Sequence, residues 1–247
     1  MAEQIETDAP AFITTLDKQA VRQQPGVNLD DRLRAIPGFT LFRRSSSLVA
    51  NPTTQGVSLR GLGSSGASRT LVLWDGVPVN DPFGGWVYWT RIAPEEVERV
   101  EVSRGASTSV FGDRAVSGAI ALFSRPAERH RVTGSYEGGN KNTHQVTGGA
   151  SNHWGKYAAS ANVRAFTTDG YYIVRQDRRG LADTPANVRF IGGTARLDYL
   201  GGSDRLFLKL DILAEERANG TLLTNNSTGL GTVAAHYSKQ LTADTFS

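Results

Sequence analysis

The sequence predicts an α+β domain followed by a set of antiparallel strands. Two features support this division of the chain. Residues 8–127 combine short amphipathic helical segments with short apolar segments, as in a small mixed sheet with short helices. After residue 128, apolar and polar residues alternate with a period of two, as in strands whose two faces meet different surroundings. We therefore expect one domain over residues 8–127 and a second region over residues 128–247.

Composition excludes several classes of protein. No stretch approaches the roughly 20 apolar residues that a membrane-spanning helix needs. The 27 basic residues are balanced by 24 acidic ones and form no clustered stripe, so we expect no nucleic-acid partner. The chain has no cysteine, which excludes disulfides and thiolate metal sites.

The first domain is expected to begin with a strand over residues 8–15, which is followed in the chain by a short helix. Thr14 or Thr15 provides an N-cap for that helix, which runs through Gln23. Three apolar segments, 70–74, 99–103 and 119–123, predict the main strands of the sheet.

A second helix is predicted from Asn28, which is an N-cap residue type, to the Pro37–Gly38 pair that ends it. Asp30 and Asp31 fall in its first turn, near the positive end of the helix dipole. The residues expected to share its apolar face are Leu29, Leu33 and Ile36.

Two local patterns predict turns between these elements. The Asp75–Gly76 pair has the composition of a tight turn, and it leads from segment 70–74 into segment 77–79. Pro94 opens a short helical turn through Glu95 and Glu96, because proline is tolerated at the first helical position.

The alternation in the second region is clearest at residues 206–212. Leucine and isoleucine occupy one face there, and Phe207, Lys209 and Asp211 occupy the other. Other strands are expected at 132–138, 143–150, 157–166, 191–199 and 232–241.

The connections between these strands are expected to alternate in length. Short turns at 151–155 and 201–204 alternate with long loops at 167–188 and 215–231. Outer-membrane barrels have this asymmetry, although a soluble antiparallel sheet is an alternative.

Five segments in order carry a family resemblance. They read LRAIPGF at 33–39, VSLRG at 57–61, LVLWDGVPV at 71–79, VERVEVSRG at 97–105 and VSGAIALFSR at 116–125. Together they resemble the plug domain of TonB-dependent outer-membrane receptors. The resemblance implies a plug enclosed by a 22-stranded barrel. Only 119 residues follow Glu128, whereas such a wall needs about 220, so we expect a fragment with an incomplete transmembrane β-barrel.

The resemblance also implies a function. In this family the plug blocks the barrel lumen, its upper loops contact the ligand, and the energy-coupling protein TonB pulls on an N-terminal peptide. The expected partners are therefore TonB, a small-molecule substrate such as a ferric siderophore or a corrinoid, and outer-membrane lipid. No cofactor and no catalytic or metal site is expected. The coupling peptide should lie upstream of Ile5, and residues 1–8 show no match to it.

Two segments correspond to the upper loops of such plugs. The glycine-rich segment 61–68 also fits a dinucleotide fingerprint, but a predicted strand follows it where that fingerprint requires a helix. Segment 80–89 contains four aromatic residues and two glycines, a composition suited to ligand binding. For Val87, Tyr88 and Trp89, the alternative is that they fill the core or meet the barrel wall. The expected ligand-binding residues are Ser64, Ser65, Asn80, Asp81, Phe83, Trp86, Tyr88 and Trp89.

Four charged residues stand where plugs of this family carry charges: Arg60, Glu98, Glu101 and Arg104. We expect them to form a polar interface between plug and barrel, with the carboxylates paired to one of the two arginines, since buried charges are tolerated only when paired. The alternative is an ordinary surface of weak ion pairs.

Two other classes of protein are alternatives to a receptor. A soluble periplasmic module that uses the plug fold for binding or signalling is the main alternative. An enzyme is not expected, because the histidines lack metal-ligand spacing and no nucleophile and base stand together.

Overall fold

The computed structural model describes residues 12–43, 45–59, 68–105 and 114–240. The chain divides into two compact units, Met1–Pro126 and Ala127–Ser247. Within the described residues, no helix has both the length and the apolar character needed to cross a membrane.

The first unit is an α+β domain, as predicted. In chain order it contains β1 (Phe12–Asp17), α1 (Lys18–Gln23), α2 (Leu29–Leu33), β2 (Phe39–Leu41), β3 (Val57–Leu59), β4 (Thr70–Trp74), β5 (Val77–Pro78), β6 (Val97–Arg104) and β7 (Gly118–Ser124). Five of these strands form a mixed sheet in the order β1-β6-β7-β4-β5, in which only β4 and β7 run parallel. β2 and β3 pair separately.

One apolar core holds these elements together. Leu29, Leu33 and Ile36 are all buried in it, which confirms the predicted apolar face of the second helix. Trp74 and Trp89 are its largest side chains and are each only 1% exposed. Burying a large apolar side chain contributes about 1.5–3 kcal/mol relative to leaving it in water, so both tryptophans add to the stability of the unit.

The start of the first helix differs from the prediction. Thr14 and Thr15 lie inside β1, where they pair with β6, and so they do not cap the helix. The N-cap is Asp17, whose Oδ1 accepts a hydrogen bond of 2.8 Å from the Ala20 amide. Strand pairing extends to Asp17 because β6 offers a partner for each residue of β1, and this partner is about 90 residues distant in the sequence.

Two predicted turns are present. Asp75 and Gly76 join β4 to β5 with φ of 53° and 81°, the left-handed pair that a tight hairpin requires. Pro94–Glu96 forms one turn of 3₁₀ helix, with proline in its first turn.

The second unit is a sheet of six antiparallel strands, each next to its neighbour in sequence. They are β8 (Arg131–Gly139), β9 (Thr143–Trp154), β10 (Tyr157–Tyr171), β11 (Asp183–Leu200), β12 (Asp204–Thr221) and β13 (Asn225–Lys239). The order runs from β13 to β8, and the sheet does not close on itself within the described residues.

The strands are longer than predicted, and the loops are shorter. β10 and β11 extend to a connection of residues 172–182, and β12 turns into β13 through residues 222–224 alone. The long loop expected at 215–231 is therefore wrong. In this part of the sheet both faces carry polar side chains, so the apolar alternation disappears while backbone pairing continues.

The polarity of this sheet is the reverse of that in a water-soluble sheet. On β12, Leu208 and Ile212 are 47% and 52% exposed, whereas Lys209 and Asp211 are each 4% exposed. We call the face that carries Leu208 the outer face and the opposite face the inner face. An exposed apolar face and a buried polar face are typical of strands in contact with lipid.

Candidate functional site

The candidate site of the first unit is the segment of residues 80–89, which we call the aromatic loop. Asn80 and Val87 form an isolated bridge at its base. Above this bridge, the Asp81 amide donates to the Trp86 carbonyl at 2.7 Å, and the Gly85 amide donates to the Asp81 carbonyl at 2.9 Å. Gly85 has φ of 75°, a conformation that glycine adopts without strain. The loop is therefore a closed, hydrogen-bonded turn.

Asn80 fastens this loop to the sheet. Its side chain is buried, and its Oδ1 accepts a hydrogen bond of 2.7 Å from the Val72 amide. Its Nδ2 donates to the carbonyls of Thr70 and Gly85 at 3.2 and 2.9 Å. Because these bonds use the polar atoms of Asn80, the residue positions the loop, and the expectation that it contacts a ligand is not supported.

Asp81 shapes the tip of the loop. Its Oδ1 accepts hydrogen bonds from the amides of Phe83 and Gly84 at 3.0 and 2.7 Å. This pattern is an Asx turn, which fixes the backbone locally. As a result the Phe83 ring projects from the tip and is 98% exposed.

The remaining aromatic residues of the loop divide into two groups. Trp86 and Tyr88 are partly exposed and meet edge to face, with ring centroids 6.5 Å apart. The Trp86 indole lies across Gly84, in the space that a Cβ at that position would occupy. Trp89 was predicted to face a ligand, but it is 1% exposed and packs against Phe39 in the core. For Trp89 the core alternative is therefore correct, and Val87, which is also buried, belongs to the same core.

Arg114 also holds the aromatic loop, a role that was not predicted from the sequence. Its guanidinium donates to the carbonyls of Asp81 at 3.2 Å and Pro82 at 2.8 Å. The contact joins residues more than 30 positions apart, so no local pattern reveals it. Both acceptors are neutral carbonyls, so these two hydrogen bonds bring the Arg114 guanidinium to the loop without neutralising its charge.

Three predicted site residues, Arg60, Ser64 and Ser65, lie outside the described part of the chain. Their expected roles stay predictions.

The charged residues of β6 form ion pairs that the sequence did not predict. Glu98 pairs with Lys18 at 3.2 Å, and Glu101 pairs with Arg99 at 2.7 Å. Arg104 donates a hydrogen bond of 3.0 Å to the Thr14 hydroxyl on β1. The Arg104–Thr14 contact joins β6 to β1, and the Glu98–Lys18 pair joins β6 to α1, so both stabilise this edge of the sheet. That the same residues also face the barrel remains a prediction.

A second unpredicted feature is a buried cluster around Asp30. Both carboxylate oxygens of Asp30 accept hydrogen bonds from Ser47, at 2.6 Å from the hydroxyl and 3.0 Å from the amide. Asn28 donates to the same hydroxyl at 2.7 Å, instead of capping the helix with its side chain. Burial, together with repulsion from Asp31, raises the pKa of Asp30 to about 6, against the lowering effects of Ser47 and Arg34.

Comparison with known proteins agrees with the resemblance seen in the sequence. Residues 6–119 match the family model for the TonB-dependent receptor plug domain. The ferric enterobactin receptor PirA of Pseudomonas aeruginosa is 34% identical over 142 residues, which cover 53% of this chain and 18% of that receptor. The hemin receptor of Yersinia enterocolitica is 30% identical over 68% of this chain and 23% of its own length. The chain thus spans about a fifth of the length of these curated relatives.

Solved structures show the same fold. A mutant of the ferric enterobactin receptor PfeA of Pseudomonas aeruginosa superposes with a TM-score of 0.70 at 18% identity, over 95% of this chain and 39% of that one. The copper transporter OprC gives a TM-score of 0.70 at 18% identity, over 92% and 35% of the two chains. The matched family model and these relatives identify residues 6–119 as the plug domain of a TonB-dependent receptor.

Proposed function

We propose that this chain is part of a receptor that takes up a ferric siderophore across the outer membrane, with TonB as the energy-coupling partner. The observation that carries the proposal is the aromatic loop, where a hydrogen-bonded scaffold holds a 98% exposed phenylalanine at its tip. An apolar ring held in water by a fixed backbone has no role in the core of the unit. It is the kind of group that contributes to ligand binding.

The charge that Arg114 brings to this loop favours a siderophore over a corrinoid. Arg114 donates hydrogen bonds to two carbonyls of the loop, and Phe83, Trp86 and Tyr88 supply aromatic surface on the same loop. Ferric catecholate siderophores are anionic and aromatic, so they complement both features. Two relatives of this chain in Pseudomonas aeruginosa are named as ferric enterobactin receptors, at 34% and 28% identity.

The proposed ligand contacts are Phe83, Trp86 and Tyr88, and Asn80, Asp81 and Arg114 hold them in place. Ser64 and Ser65 stay in the proposal on the resemblance of segment 61–68 to an upper loop of the plug. We place the boundary between plug and strands at residues 127 and 128, close to the change of compact unit after Pro126.

The second unit presents the surface that we propose to contact outer-membrane lipid. Its outer face exposes leucine, isoleucine and valine, and aromatic residues mark one end of it, namely Trp154, Tyr157, Tyr199 and Tyr237. Aromatic girdles of this kind mark the water interface of transmembrane sheets. The face from Tyr199 to Ile191 spans about 26 Å along β11 at the usual rise per residue. At the usual strand tilt of about 40° this length corresponds to about 20 Å of height, most of the roughly 25 Å apolar band of such barrels. Outer-membrane lipid therefore fits this face.

Fluorescence quenching tests the ligand assignment. The chain is purified in detergent and titrated with ferric enterobactin, and separately with cobalamin, while tryptophan emission is recorded. We expect ferric enterobactin to quench the emission and the Phe83→Ala variant to bind about tenfold more weakly, a loss of about 1.4 kcal/mol. Trp154→Phe is the matched control, because Trp154 lies in the second unit and its loss leaves the binding curve unchanged.

Two results would contradict the proposal. Equal affinity of the parent chain and Phe83→Ala for ferric enterobactin would show that the aromatic loop is not part of the binding site. Quenching by cobalamin at lower concentration than by ferric enterobactin would assign a corrinoid as the substrate.

A further inference from the structure

Ser68 connects the aromatic loop to other elements of the first unit. It is the last residue of segment 61–68 and lies two residues before β4. Its backbone amide donates a hydrogen bond of 3.3 Å to the Gly85 carbonyl in the aromatic loop. The same carbonyl accepts the hydrogen bond of 2.9 Å from Asn80 Nδ2. Both lone pairs of the Gly85 oxygen are therefore used, one by a donor inside the loop and one by a donor outside it.

The Ser68 hydroxyl fixes the position of this amide. Its Oγ donates a hydrogen bond of 2.7 Å to the Thr70 carbonyl, at the start of β4. It accepts hydrogen bonds of 3.2 Å from the Val57 amide, at the start of β3, and 3.3 Å from the Thr70 amide. The Val57 carbonyl also lies 3.2 Å from Oγ, but the single hydroxyl hydrogen favours the shorter contact. The Ser68 side chain therefore joins β3 to β4, while its amide holds the aromatic loop.

A second serine belongs to the same network but lies away from the loop. Ser117 Oγ and Thr70 Oγ1 are 2.6 Å apart, and both residues are fully buried. The Ser117 amide donates to the Arg69 carbonyl at 2.9 Å, and its Oγ accepts from the Leu59 amide at 3.5 Å. Within the described residues, none of the hydrogen bonds of Ser117 reaches the aromatic loop. Ser117 therefore supports the sheet in the way that Ser68 does, without holding the loop.

We propose that Ser68 is a positioning residue that holds the aromatic loop in the conformation that contacts the ligand. The proposal rests on the ligand site proposed above, in which Phe83, Trp86 and Tyr88 contact the siderophore. Ser68 acts on these rings through the Gly85 carbonyl and does not itself contact the ligand.

The physical reason for this role is preorganisation. A loop that is already held in its bound conformation loses less conformational entropy when the ligand binds, so it binds the ligand more tightly. Asp81 fixes the tip of the loop, and Asn80 fastens one side of it to β4. When the Ser68 hydroxyl is removed, the amide that holds Gly85 is no longer fixed to β3 and β4. The loop then samples conformations in which the aromatic rings are displaced.

Amide hydrogen exchange tests the position of the loop without any ligand. The probes are the hydrogen-bonded amides of the loop, namely those of Asp81, Phe83, Gly84 and Gly85. In the full chain in detergent, Ser68→Ala is expected to speed their exchange about fivefold, because the loss of one hydrogen bond shifts a local opening equilibrium by about this factor. Ser117→Ala is the matched control. It removes the same atom from the same network and is expected to leave the exchange of the loop unchanged.

Binding of ferric enterobactin tests the consequence of this position. Ser68→Ala is expected to bind about fivefold more weakly than the parent chain, whereas Ser117→Ala binds equally well. Ser68→Thr keeps the hydroxyl and is expected to restore both the exchange rates and the affinity. In the Phe83→Ala background, Ser68→Ala should weaken binding less than it does in the parent chain. A residue that acts through the loop loses part of its effect when a contact made by the loop is already missing.

Equal exchange rates in Ser68→Ala and Ser117→Ala would overturn the proposal, since the Ser68 hydroxyl would then only stabilise the fold. Faster exchange in Ser68→Ala with an unchanged affinity for ferric enterobactin would also overturn it, and would leave the proposed function intact. A parent chain that binds no ferric enterobactin contradicts the proposed function instead. The exchange comparison needs no ligand, so it still decides whether Ser68 positions the loop.

Discussion

At the scale of single residues, Asp30 is a buried carboxylic acid whose pKa is raised by its surroundings. Its carboxylate has no exposed surface, and the pKa is about 6 in the folded protein compared with 3.8 for an ordinary aspartate. Between these values the folded protein binds a proton that the unfolded chain does not. The contribution of Asp30 to the free energy of unfolding therefore increases as the pH falls from about 7 to about 4.

This sign leads to a measurable prediction. Relative to Asp30→Asn, the parent chain should gain up to about 3 kcal/mol of unfolding free energy between pH 7 and pH 4. Asp31→Asn should give a smaller gain, since removing the repulsion from Asp31 lowers the pKa of Asp30. Denaturant unfolding followed by tryptophan emission measures this, because Trp74, Trp86 and Trp89 all lie in the first unit. Parallel pH profiles for the parent and Asp30→Asn would show that the buried carboxyl titrates normally.

Sequence patterns predicted the helix that carries Asp30 but not its environment. An aspartate in the first turn of a helix is usually solvated and interacts with the helix dipole. Here segment 45–48 covers the turn, and Ser47 supplies both hydrogen bonds. The environments of Asn80, Trp89 and Arg114 were also not predictable from sequence patterns, since each depends on contacts that form only in the folded chain.

At the scale of elements, the mixed sheet depends on a close backbone contact between Gly118, at the start of β7, and Ser103 on β6. Gly118 has φ of 131°, and a Cβ there would lie 2.2 Å from the Ser103 carbonyl oxygen on β6. Backbone atoms at that distance have to move apart, which disturbs the pairing of β6 with β7 in the middle of the sheet.

We therefore expect Gly118→Ala to lower the unfolding free energy of the first unit by about 3 kcal/mol. Gly76→Ala is the matched control, because φ is also positive there, at 81°, but no atom lies within 4 Å of the added Cβ. That variant should lose only about 1–2 kcal/mol, the cost of the left-handed conformation. Equal losses in the two variants, measured by denaturant unfolding, would show that the contact with Ser103 is relieved without cost.

Strand positions were easier to predict than strand ends. β4 begins and ends where its apolar segment does, because all five residues are wholly or largely buried. β12 runs to Thr221, well beyond its apolar alternation, because β11 and β13 continue to pair with it where both faces are polar. Backbone pairing requires a neighbouring strand but no hydrophobic pattern. The sequence pattern therefore predicted strands that are shorter than the observed ones.

At the scale of the whole molecule, the reversed polarity of the second unit separates a membrane receptor from a soluble plug-like module. A soluble sheet buries its leucines and exposes its lysines. This unit exposes Leu208 and Leu210, at 47% and 43%, and buries Lys209.

The chain should therefore enter the detergent phase in a detergent phase-separation assay. Substituting both Leu208 and Leu210 with arginine should move the chain towards the aqueous phase, since a charge at the centre of the lipid-facing band costs about 2–4 kcal/mol. The control substitutes Thr133 and Ser135 with arginine, which adds the same charge to exposed positions on the other face of β8. If the two double variants partition alike, net charge rather than the outer face determines partition, and the soluble alternative gains support.

The sequence by itself determined the class of this protein, the two regions of the chain and the face to which each residue of the clearest strands belongs. These properties follow from local periodicity and from ordered motifs, which need no knowledge of distant contacts. Only the tertiary structure decided that Trp89 is a core residue, that Arg114 holds the aromatic loop, that Asp30 is buried beneath Ser47, and that Arg189 and Glu216 form an ion pair between β11 and β12. Each of these depends on a partner that folding brings close from a position between 17 and 50 residues away. Such partners are determined by packing and strand register rather than by any pattern along the chain.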